Sequence, residues 1–365
     1  MYTLTRVPIL KKNRLRAPLQ IVSIGGGTGL STLLSGLKKY SRGAQKGSTV
    51  REPEVEITAV VTVSDDGGSS GRLRRDFDIL PPGDIRSCMA ALSEDADLLT
   101  HLFQYRFASG RGLKGHSFGN LFLTAMHQIT GDFAQAVKLS SEILAIRGRI
   151  FPATSANVVL EAVLMDGTVV TGESKIGRSR LPIRLVRLLP DSPEPLPETL
   201  AAIGTADLIT LGPGSLYTSV IPNLLVNGLA EAIDRSSAMK VYFSNLMWQP
   251  GETIDFSASH HLEAIHSHAG RELIDCVVVN TAPISKKLQK KYARAHVKPV
   301  ENDFTTLSSL GVKVVTADLV SDEGMGQQKI RHNPAALAAV VLDLASRSRA
   351  HQVKKQALSE RHREK

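Results

Sequence analysis

The feature that most constrains this chain is a short apolar strand that ends in a cluster of glycines. Residues 21–24 read Ile-Val-Ser-Ile, glycine fills four of the five positions 25–29, and an apolar-periodic stretch follows at 32–37. Glycines let the backbone turn tightly and approach an anion closely, while the N–H groups and positive dipole end of the next helix hold its charge. The pattern therefore predicts a phosphate-binding loop. The residues assigned to this loop are Gly26, Gly27, Thr28 and Gly29.

This loop matches neither of the two common glycine fingerprints. Leu30 stands where the dinucleotide-binding pattern requires a glycine, and no Gly-Lys-Ser/Thr follows to make a P-loop. We therefore expect a nucleotide-like ligand, and we do not expect NAD. The alternative is a plain strand-to-helix turn that binds no ligand.

Short β-branched runs alternate along the chain with longer amphipathic segments. This alternation predicts an α/β, Rossmann-like fold, in which a mostly parallel sheet has helices on both faces. The predicted strands are 20–24, 57–63, 208–211, 240–243, 276–279 and 312–315. The predicted helices are 32–40, 118–129, 132–144, 221–234, 258–268 and 334–346. An antiparallel β-hairpin is expected near 157–175, because Asp166 and Gly167 form a strong two-residue turn signal.

Two adjacent acids follow the second predicted strand. Asp65 and Asp66 precede a turn rich in glycine and serine, at the strand end where doubly wound sheets bind ligands. Adjacent side chains on an extended strand point apart, so one carboxylate is expected to face the ligand and to accept ribose hydroxyls or hold a cation. Ser69 and Ser70 can donate to a phosphate or a sugar. The alternative is an Asp-Gly turn with a capping aspartate.

A further acid, Asp84, lies in the segment Pro-Gly-Asp-Ile-Arg at 82–86. If Asp84 converges with Asp66, the two carboxylates form an oxygen-rich Mg²⁺ site, because this cation is held by one or two carboxylates together with phosphate oxygens. Asp66 and Asp84 are therefore the predicted metal ligands. The alternative for Asp84 is an ordinary position in the first turn of a helix.

A second glycine loop follows the predicted strand 208–211. It repeats the order of strand, glycine turn and helix, so Gly212, Gly214 and Ser215 are expected to hold a second phosphate or the distal part of the same ligand. The loop is not a nucleophile elbow, because the Gly-x-Ser-x-Gly spacing is absent. The alternative is a simple Pro-Gly turn.

Other polar residues fall where strands end or helices begin. His116 and Asn120 flank the start of a helix and can bind an anion or move a proton. Asn245 can read a base or a sugar through amide hydrogen bonds. Arg331 can reach a diphosphate with two parallel hydrogen bonds, and Tyr292 can stack on a base. For each of these residues a purely structural role is the alternative.

Composition disfavours several classes of protein. The only cysteines, Cys88 and Cys276, are far apart and lack metal-binding or redox spacing, so neither a disulfide framework nor a zinc site is indicated. No segment approaches the roughly 18 apolar residues of a membrane span, and no secretory leader is recognisable. We therefore expect a soluble, cytoplasmic protein.

The net charge of +9 invites a nucleic-acid interpretation, but its distribution argues against one. Most of the excess lies in residues 1–19 and 347–365. Basic tails of this kind are usually solvated, so a nucleic-acid partner is not expected. The predicted organisation is a flexible basic tail at 1–19, an α/β domain at 20–346 and a flexible basic tail at 347–365.

Five motifs in one order carry a family resemblance. The first two are Gly-Gly-Gly-Thr-Gly from residue 25 and Ser-Asp-Asp-Gly-Gly-Ser-Ser-Gly-Arg-Leu-Arg from residue 64. The others are Pro-Gly-Asp-Ile-Arg from 82, Gly-His-Ser-Phe-Gly-Asn-Leu from 115 and Gly-Pro-Gly-Ser-Leu-Tyr-Thr-Ser from 212. From about residue 20 to about residue 346 the chain closely resembles the bacterial gluconeogenesis-factor family (YvcK-like), within the CofD-like superfamily.

The resemblance implies a Rossmann-like fold that binds UDP-sugars such as UDP-glucose and UDP-N-acetylglucosamine. It also implies a homodimer, and a role in growth on gluconeogenic carbon sources and in cell shape. The other branch of the superfamily, the 2-phospho-lactate transferases, moves a phospholactyl group from a guanosine diphosphate donor to a deazaflavin precursor, with Mg²⁺ held by aspartates. Asp65 or Asp66 and Asp84 fall in the matching motifs, but the Gly-Gly-Ser-Ser-Gly after the acids departs from that branch.

Two hypotheses of function follow. The first is a UDP-sugar-binding regulator, in which both glycine loops and Arg331 hold the diphosphate. The residues expected to read ribose, sugar or base are Asp65 or Asp66, Asn120 and Asn245. The alternative is a Mg²⁺-dependent transferase that uses a nucleoside-diphosphate-linked donor. Leu30 disfavours an NAD-dependent dehydrogenase, and the position of the basic residues disfavours a nucleic-acid-binding protein.

Overall fold

A seven-stranded sheet forms the centre of the protein. The computed structural model describes residues 17–42, 53–94, 97–321 and 329–363, so the predicted N-terminal tail lies outside the described residues up to residue 16. The strands of the sheet are β1 (Leu19–Gly25), β2 (Val55–Val61), β3 (Arg149–Pro152), β7 (Leu208–Leu211), β8 (Met239–Phe243), β9 (Cys276–Asn280) and β10 (Lys313–Ala317). Their order is β3-β2-β1-β7-β8-β9-β10, and every neighbouring pair is parallel.

The order of the strands reverses at the pair β1–β7. From β1 the chain moves outward through β2 to β3, and from β7 it moves outward in the other direction to β10. Such a reversal leaves a crevice beyond the carboxyl ends of the two central strands, where doubly wound sheets bind ligands. Ile24 in β1 pairs with Leu211 in β7, so the two glycine loops leave the sheet side by side.

The six predicted strands all form, with ends within two residues of those predicted. They were recognisable because a parallel sheet covered on both faces needs nearly continuous apolar residues, and Ile209, Val241 and Val277 are indeed fully buried. The predicted fold class, an α/β fold around a mostly parallel sheet, is confirmed. Strand β3 was not predicted, because it is four residues long and ends in Pro152.

A separate antiparallel sheet follows β3. It consists of β4 (Val159–Leu164), β5 (Val169–Thr171) and β6 (Ile183–Leu189), in the order β5-β4-β6. The predicted hairpin turn is confirmed, and Thr168 donates its backbone N–H to Asp166 Oδ1 at 2.9 Å. The third strand was missed, because arginines interrupt its apolar run. One of them, Arg187, pairs with Glu161 across the sheet.

Helices connect the strands of the central sheet. They are α1 (Gly27–Leu37), α2 (Gly68–Phe77), α3 (Gly83–Leu92), α4 (Asp97–Gln104), α5 (Phe118–Thr130), α6 (Phe133–Ile143), α7 (Glu173–Ile176), α8 (Pro197–Thr205), α9 (Ile221–Leu224), α10 (Leu229–Arg235), α11 (Ala258–Ala269), α12 (Lys286–Ala293), α13 (Phe304–Ser309) and α14 (Pro334–Arg363). The predicted helix 221–234 is divided into α9 and α10 by a turn that ends at Gly228. No helix in the described ranges combines the length and the apolar content needed to cross a membrane.

Helix α14 continues well beyond its predicted end. A flexible basic tail was predicted from residue 347, and this prediction is wrong up to Arg363, because the helix continues and its Arg349 is buried. Arg349 Nε donates to Asp207 Oδ1 at 3.0 Å, and its Nη2 donates to Asp207 Oδ2. Composition does not distinguish such a buried ion pair from solvated charge.

The ion pair joins α14 to both central strands at the edge opposite the glycine loops. Asp207 directly precedes β7, and its Oδ2 accepts the backbone N–H of Gln20 in β1 at 2.7 Å. The guanidinium of Arg349 also donates to the backbone carbonyls of Ala17 and Pro18, which precede β1. One arginine near the end of the chain therefore completes the hydrogen bonding at the start of two strands.

Replacing Arg349 with alanine is expected to lower the free energy of unfolding by about 3–5 kcal/mol, because the carboxylate of Asp207 is left buried without a counter-charge. The side chains of Arg349 and Asp207 are 6% and 2% exposed. Arg347→Ala is the matched control, since Arg347 makes an exposed i,i+4 pair with Asp343 that contributes about 0.3–0.5 kcal/mol. Urea unfolding measures both variants, and equally small losses would contradict the prediction.

Candidate functional site

The two glycine loops lie in contact at the carboxyl edge of the sheet. Gly29, in the first turn of α1, packs so closely against the backbone carbonyl of Pro213 that a Cβ at residue 29 would overlap it. The contact between the loops therefore requires glycine at this position. The second loop begins at Gly212, whose φ of 73° also favours glycine. Together the loops form the floor of one cleft.

The first loop presents the N-terminal end of α1. Gly26 is the N-cap residue of this 11-residue helix, its backbone is extended, and no side chain caps the helix. The N–H groups of the first turn therefore need other acceptors, and the positive end of the helix dipole lies at the same place. The carboxylate of Asp84 accepts the N–H of Gly27. The neighbouring N–H groups can bind an anion.

Amide side chains from the loop after β8 brace the second glycine loop. Ser215 is the N-cap residue of the π-helix Leu216–Val220, and its Oγ accepts a hydrogen bond from Gln249 Nε2 at 2.8 Å. Asn245 Nδ2 in turn donates to Gln249 Oε1 at 2.9 Å. This chain of hydrogen bonds holds the loop after β8 against the second glycine loop.

Above the loops lies a cleft of about 370 Å³. Part of its wall comes from Trp248, Tyr292 and Arg331, which lie further along the chain. A phosphate-binding floor beside an arginine and two aromatic rings suits a nucleotide. Nine residues predicted from the sequence line the cleft: Gly26, Gly27, Thr28, Gly29, Gly214, Ser215, Asn245, Tyr292 and Arg331.

Helix α12 positions the segment that carries Arg331. The hydroxyl of Tyr292, on α12, accepts the backbone N–H of Ile330 at 3.0 Å, and the carbonyl of Arg331 accepts the N–H of Ser321 at 3.0 Å. Arg331 itself is exposed, and its guanidinium can turn towards a diphosphate. Burial lowers the pKa of the neighbouring His332 to about 4, so its ring is neutral at physiological pH.

Two further residues that line the cleft, Trp248 and Thr32, were not predicted from the sequence. Trp248 Nε1 donates to the carbonyl of Phe256 at 2.9 Å, and the ammonium of Lys298 lies 5.3 Å from the centre of the indole ring. A signal for Trp248 was present, because it is the only tryptophan of the chain and comes three residues after Asn245. Thr32 lies inside α1, where its spacing carries no functional signal.

The acids brought together behind the first loop are Asp65 and Asp84, whereas Asp66 and Asp84 were predicted to converge. The absence of a side chain at Gly83 lets Asp65 Oδ2 approach the start of α3, where a Cβ would lie 2.9 Å from it. Asp66 turns towards the antiparallel sheet, and its Oδ1 accepts the backbone N–H of Ser174 at 2.8 Å. The two adjacent acids thus point apart, as expected for an extended strand.

Asp84 lies directly behind the floor of the cleft. A Cβ on Gly26 would lie 2.5 Å from Asp84 Oδ2. Burial and then the charge of Asp65 raise the pKa of Asp84 to about 7, while the N–H of Gly27 and the charge of Arg86 oppose this shift. A change in the protonation of Asp84 therefore affects the first glycine loop.

Two glutamates that were not predicted from the sequence lie in this region, Glu173 close to Asp65 and Glu252 close to Glu173. Burial, followed by the surrounding carboxylates with Asp65 first, raises the pKa of Glu173 to about 9. Glu252 is 8% exposed, and it accepts the N–H of Tyr217 at 2.9 Å and the hydroxyl of Thr218 at 3.1 Å. Burial raises its pKa to about 7. No sequence signal links these glutamates to the acid motif, because they reach it from other loops.

Ser69, His116 and Asn120 form a buried hydrogen-bonded network. Asn120 Nδ2 donates to Ser69 Oγ at 3.1 Å, and Ser69 Oγ lies 2.9 Å from His116 Nδ1. The tautomer of His116 decides which atom donates in the bond between His116 and Ser69. Desolvation, more than the charge of Arg72, lowers the pKa of His116, so the ring is neutral.

Several residues predicted to bind ligand are not among the described residues that line the cleft. They are Asp65, Asp66, Ser69, Ser70, His116, Asn120 and Gly212. Gly212 shapes the second loop, and the others lie on the side of the acids. Asn120 Oδ1 is buried and has no hydrogen-bond partner within the described residues. The predicted site therefore divides into a glycine-loop cleft and a polar region next to it.

The acids suit Mg²⁺ only in combination with a ligand. Across the described residues, no group of three or more His, Cys, Asp or Glu side chains is arranged to hold a metal ion. Asp65 and Asp84 supply two carboxylates, and Mg²⁺ is commonly held by one or two carboxylates together with substrate phosphates. This donor set fits an ion that binds with a nucleotide.

Comparison with known proteins identifies a family. Residues 21–320 match the family model described as 2-phospho-L-lactate transferase CofD. The chain is 49% identical over 335 residues to a putative gluconeogenesis factor of Nostoc sp. (strain PCC 7120), which covers 92% of this chain and 70% of that protein. It is 46% identical over 325 residues to the gluconeogenesis factor of Bacillus subtilis (strain 168), which covers 89% of this chain and 98% of that protein.

A solved structure has the same fold. A crystal structure of a Bacillus halodurans protein superposes with a TM-score of 0.83 at 46% identity, covering 89% of this chain and 100% of that chain. The similarity includes the strand reversal at β1–β7, because it extends over nearly the whole described chain.

The contribution of Glu252 to the stability of the ligand-free protein is expected to fall as the pH rises from about 5 to about 8. The pKa of Glu252 in the folded chain is about 7, above its value in an unfolded chain, so the folded state binds the proton more tightly. The stabilisation by Glu252 is complete at pH values below its pKa in the unfolded chain. It is lost as the pH rises through the pKa of Glu252 in the folded chain. Glu252→Gln is expected to reduce this loss by on the order of 2–3 kcal/mol.

Urea unfolding at a series of pH values measures this effect as a slope. Glu142→Gln, at an exposed position on α6, is the control and should leave the slope unchanged. A slope in Glu252→Gln equal to that of the unaltered chain would show that another group carries the pH dependence.

Proposed function

Because the chain belongs to the family of 2-phospho-L-lactate transferase CofD, and within it to the gluconeogenesis factors, we propose that it is a regulatory protein that binds a UDP-sugar. The ligand is UDP-glucose, UDP-N-acetylglucosamine or a closely related nucleotide. The protein senses this ligand, supports growth on gluconeogenic carbon sources and contributes to the maintenance of cell shape. The names of its relatives support the role in gluconeogenesis.

The observation that carries this proposal is the contact between two glycine loops at the strand reversal. A nucleotide-linked sugar has two adjacent phosphates, and the cleft has two loops that meet at Gly29 and Pro213. The uncapped start of α1 supplies N–H donors to one phosphate. The second loop, braced through Ser215, lies next to the other.

The far wall of the cleft suits the nucleoside. Trp248 and Tyr292 offer aromatic faces on which a base can stack, and Arg331 can neutralise the diphosphate. Since Tyr292 also holds the segment with Arg331, ligand binding and the position of this wall are coupled. Such coupling suits a sensor, because a bound ligand then affects a segment that is remote in sequence.

A specific observation favours a second candidate function, a Mg²⁺-dependent transferase. Asp84 accepts the N–H of Gly27 and is next to Asp65, so a carboxylate pair lies directly behind the phosphate-binding loop. Asp65 and Asp84 would hold Mg²⁺ together with phosphate oxygens of the ligand, and the ion would neutralise charge on the departing phosphate. The carboxylate of Asp84 itself orients the loop through the N–H of Gly27.

Calorimetry is expected to show binding of UDP-glucose or UDP-N-acetylglucosamine and no binding of NAD. Arg331→Ala should weaken binding about tenfold or more, because a charge-assisted pair with the diphosphate is lost. Lys329→Ala is the matched control, since Lys329 is exposed, lies two residues away and does not line the cleft. A folded chain that binds neither UDP-sugar would refute the proposal.

Mg²⁺ is expected to strengthen the binding of UDP-glucose about tenfold, and Asp84→Asn should abolish this increase. Asp132→Asn is the control, because asparagine can replace the exposed N-cap aspartate of α6. Transfer of the phosphorylated sugar of UDP-glucose to an acceptor leaves UMP, so release of UMP in cell extract, dependent on Mg²⁺ and on Asp84, would establish the transferase. Tight binding of UDP-glucose without any release of the nucleotide product would exclude transfer from this donor. The function as a sensor of the UDP-sugar would then remain.

A further inference from the structure

A second, smaller pocket opens beside the cleft, at the carboxyl ends of β8 and β9. It has a volume of about 200 Å³ and shares Asn245 and Leu246 with the cleft. Three further amide side chains line it, those of Asn280, Gln289 and Asn302, and we call it the amide pocket. Because the two cavities share residues, a ligand held at the glycine loops can extend into the amide pocket.

The amide pocket suits an uncharged part of a ligand. None of the described residues that line it is charged. The cleft, in contrast, has the guanidinium of Arg331 and the N-terminal end of α1. A phosphate in the amide pocket would lose its solvation without gaining a counter-charge, so the diphosphate belongs in the cleft.

The amide nitrogens of the pocket are already engaged by the protein. Gln289 Nε2 donates to a backbone carbonyl at 2.8 Å, Asn302 Nδ2 donates to another at 2.7 Å, and Asn245 Nδ2 donates to Gln249. The side-chain carbonyl oxygens of Gln289, Asn302 and Asn245 have no hydrogen-bond partner among the described residues. These oxygens are not buried in the protein interior. Each NH2 group has a second hydrogen, so these side chains offer acceptor oxygens together with one remaining donor each, which suits groups such as hydroxyls that both donate and accept.

We propose that the amide pocket binds the hexose of the UDP-sugar, an inference that rests on the proposed function. A hexose carries several hydroxyls, and each can donate to an amide oxygen. Uracil has a single ring N–H, so it would satisfy only one of the three amide oxygens that lack a partner. The aromatic rings on which a base can stack, those of Trp248 and Tyr292, line the cleft and not the amide pocket.

A comparison of UDP-glucose with UDP tests this inference on the full chain. Gln289→Met removes one amide oxygen at nearly constant side-chain length, and adding Asn302→Leu removes a second. The single variant is expected to bind UDP-glucose about tenfold less tightly, because a hydrogen bond to the hexose is lost. Its affinity for UDP should be unchanged, which also shows that the variant is folded. Gln128→Met, at an exposed position on α5, is the matched control.

The outcomes separate this inference from the proposed function. An equal loss of affinity for UDP and UDP-glucose, or no loss for either, would overturn the hexose assignment. A loss confined to GDP would also overturn it, because the N–H groups of guanine suit the same acceptors. If the unaltered chain binds neither UDP nor UDP-glucose, both proposals fail. If it binds the two with equal affinity, only the hexose assignment fails.

Discussion

The parallel pairing of β1 with β7 is the constraint on which the rest of the site depends. It brings together two loops that are far apart in the sequence, and Gly29 then allows them to touch at the carbonyl of Pro213. Once the loops are in contact, the start of α1 points into the cleft. The loop after β8 follows from the same order of strands, because β8 is the next strand beyond β7.

The acids behind the first loop create an electrostatic repulsion towards a bound anion, and the structure reduces this repulsion in part. Carboxylates next to a phosphate-binding loop repel the anion that the loop attracts, unless their charge is diminished. Burial raises the pKa of Asp84 to about 7 and that of Glu173 to about 9, so protonation removes part of the repulsion. A cation bound with the ligand would remove the rest by a different route. The same arrangement therefore serves a sensor and a transferase.

Most of the fold and one half of the site were predictable from the sequence. Buried parallel strands and the Asp166–Gly167 turn leave local patterns, and these predictions are confirmed. The glycine loops follow β1 and β7 as predicted, and their binding of phosphate stays a prediction. The orientation of adjacent acids is not a local property. Asp65 rather than Asp66 meets Asp84, because the backbone N–H of Ser174 in a later segment holds Asp66. Glu173 likewise becomes a neighbour of Asp65, and Glu252 a neighbour of Glu173, only through tertiary packing.

The ion pair between Asp207 and Arg349 has a consequence for the order in which the protein can be completed. Its partners are separated by 142 residues, and Arg349 lies close to the end of the chain. During synthesis the two central strands are made long before the arginine that neutralises the carboxylate at their base. The strand pair that supports both glycine loops therefore gains this counter-charge only after residue 349 has left the ribosome. A chain that ends before residue 349 would contain every residue of the cleft and still lack this neutralising contact.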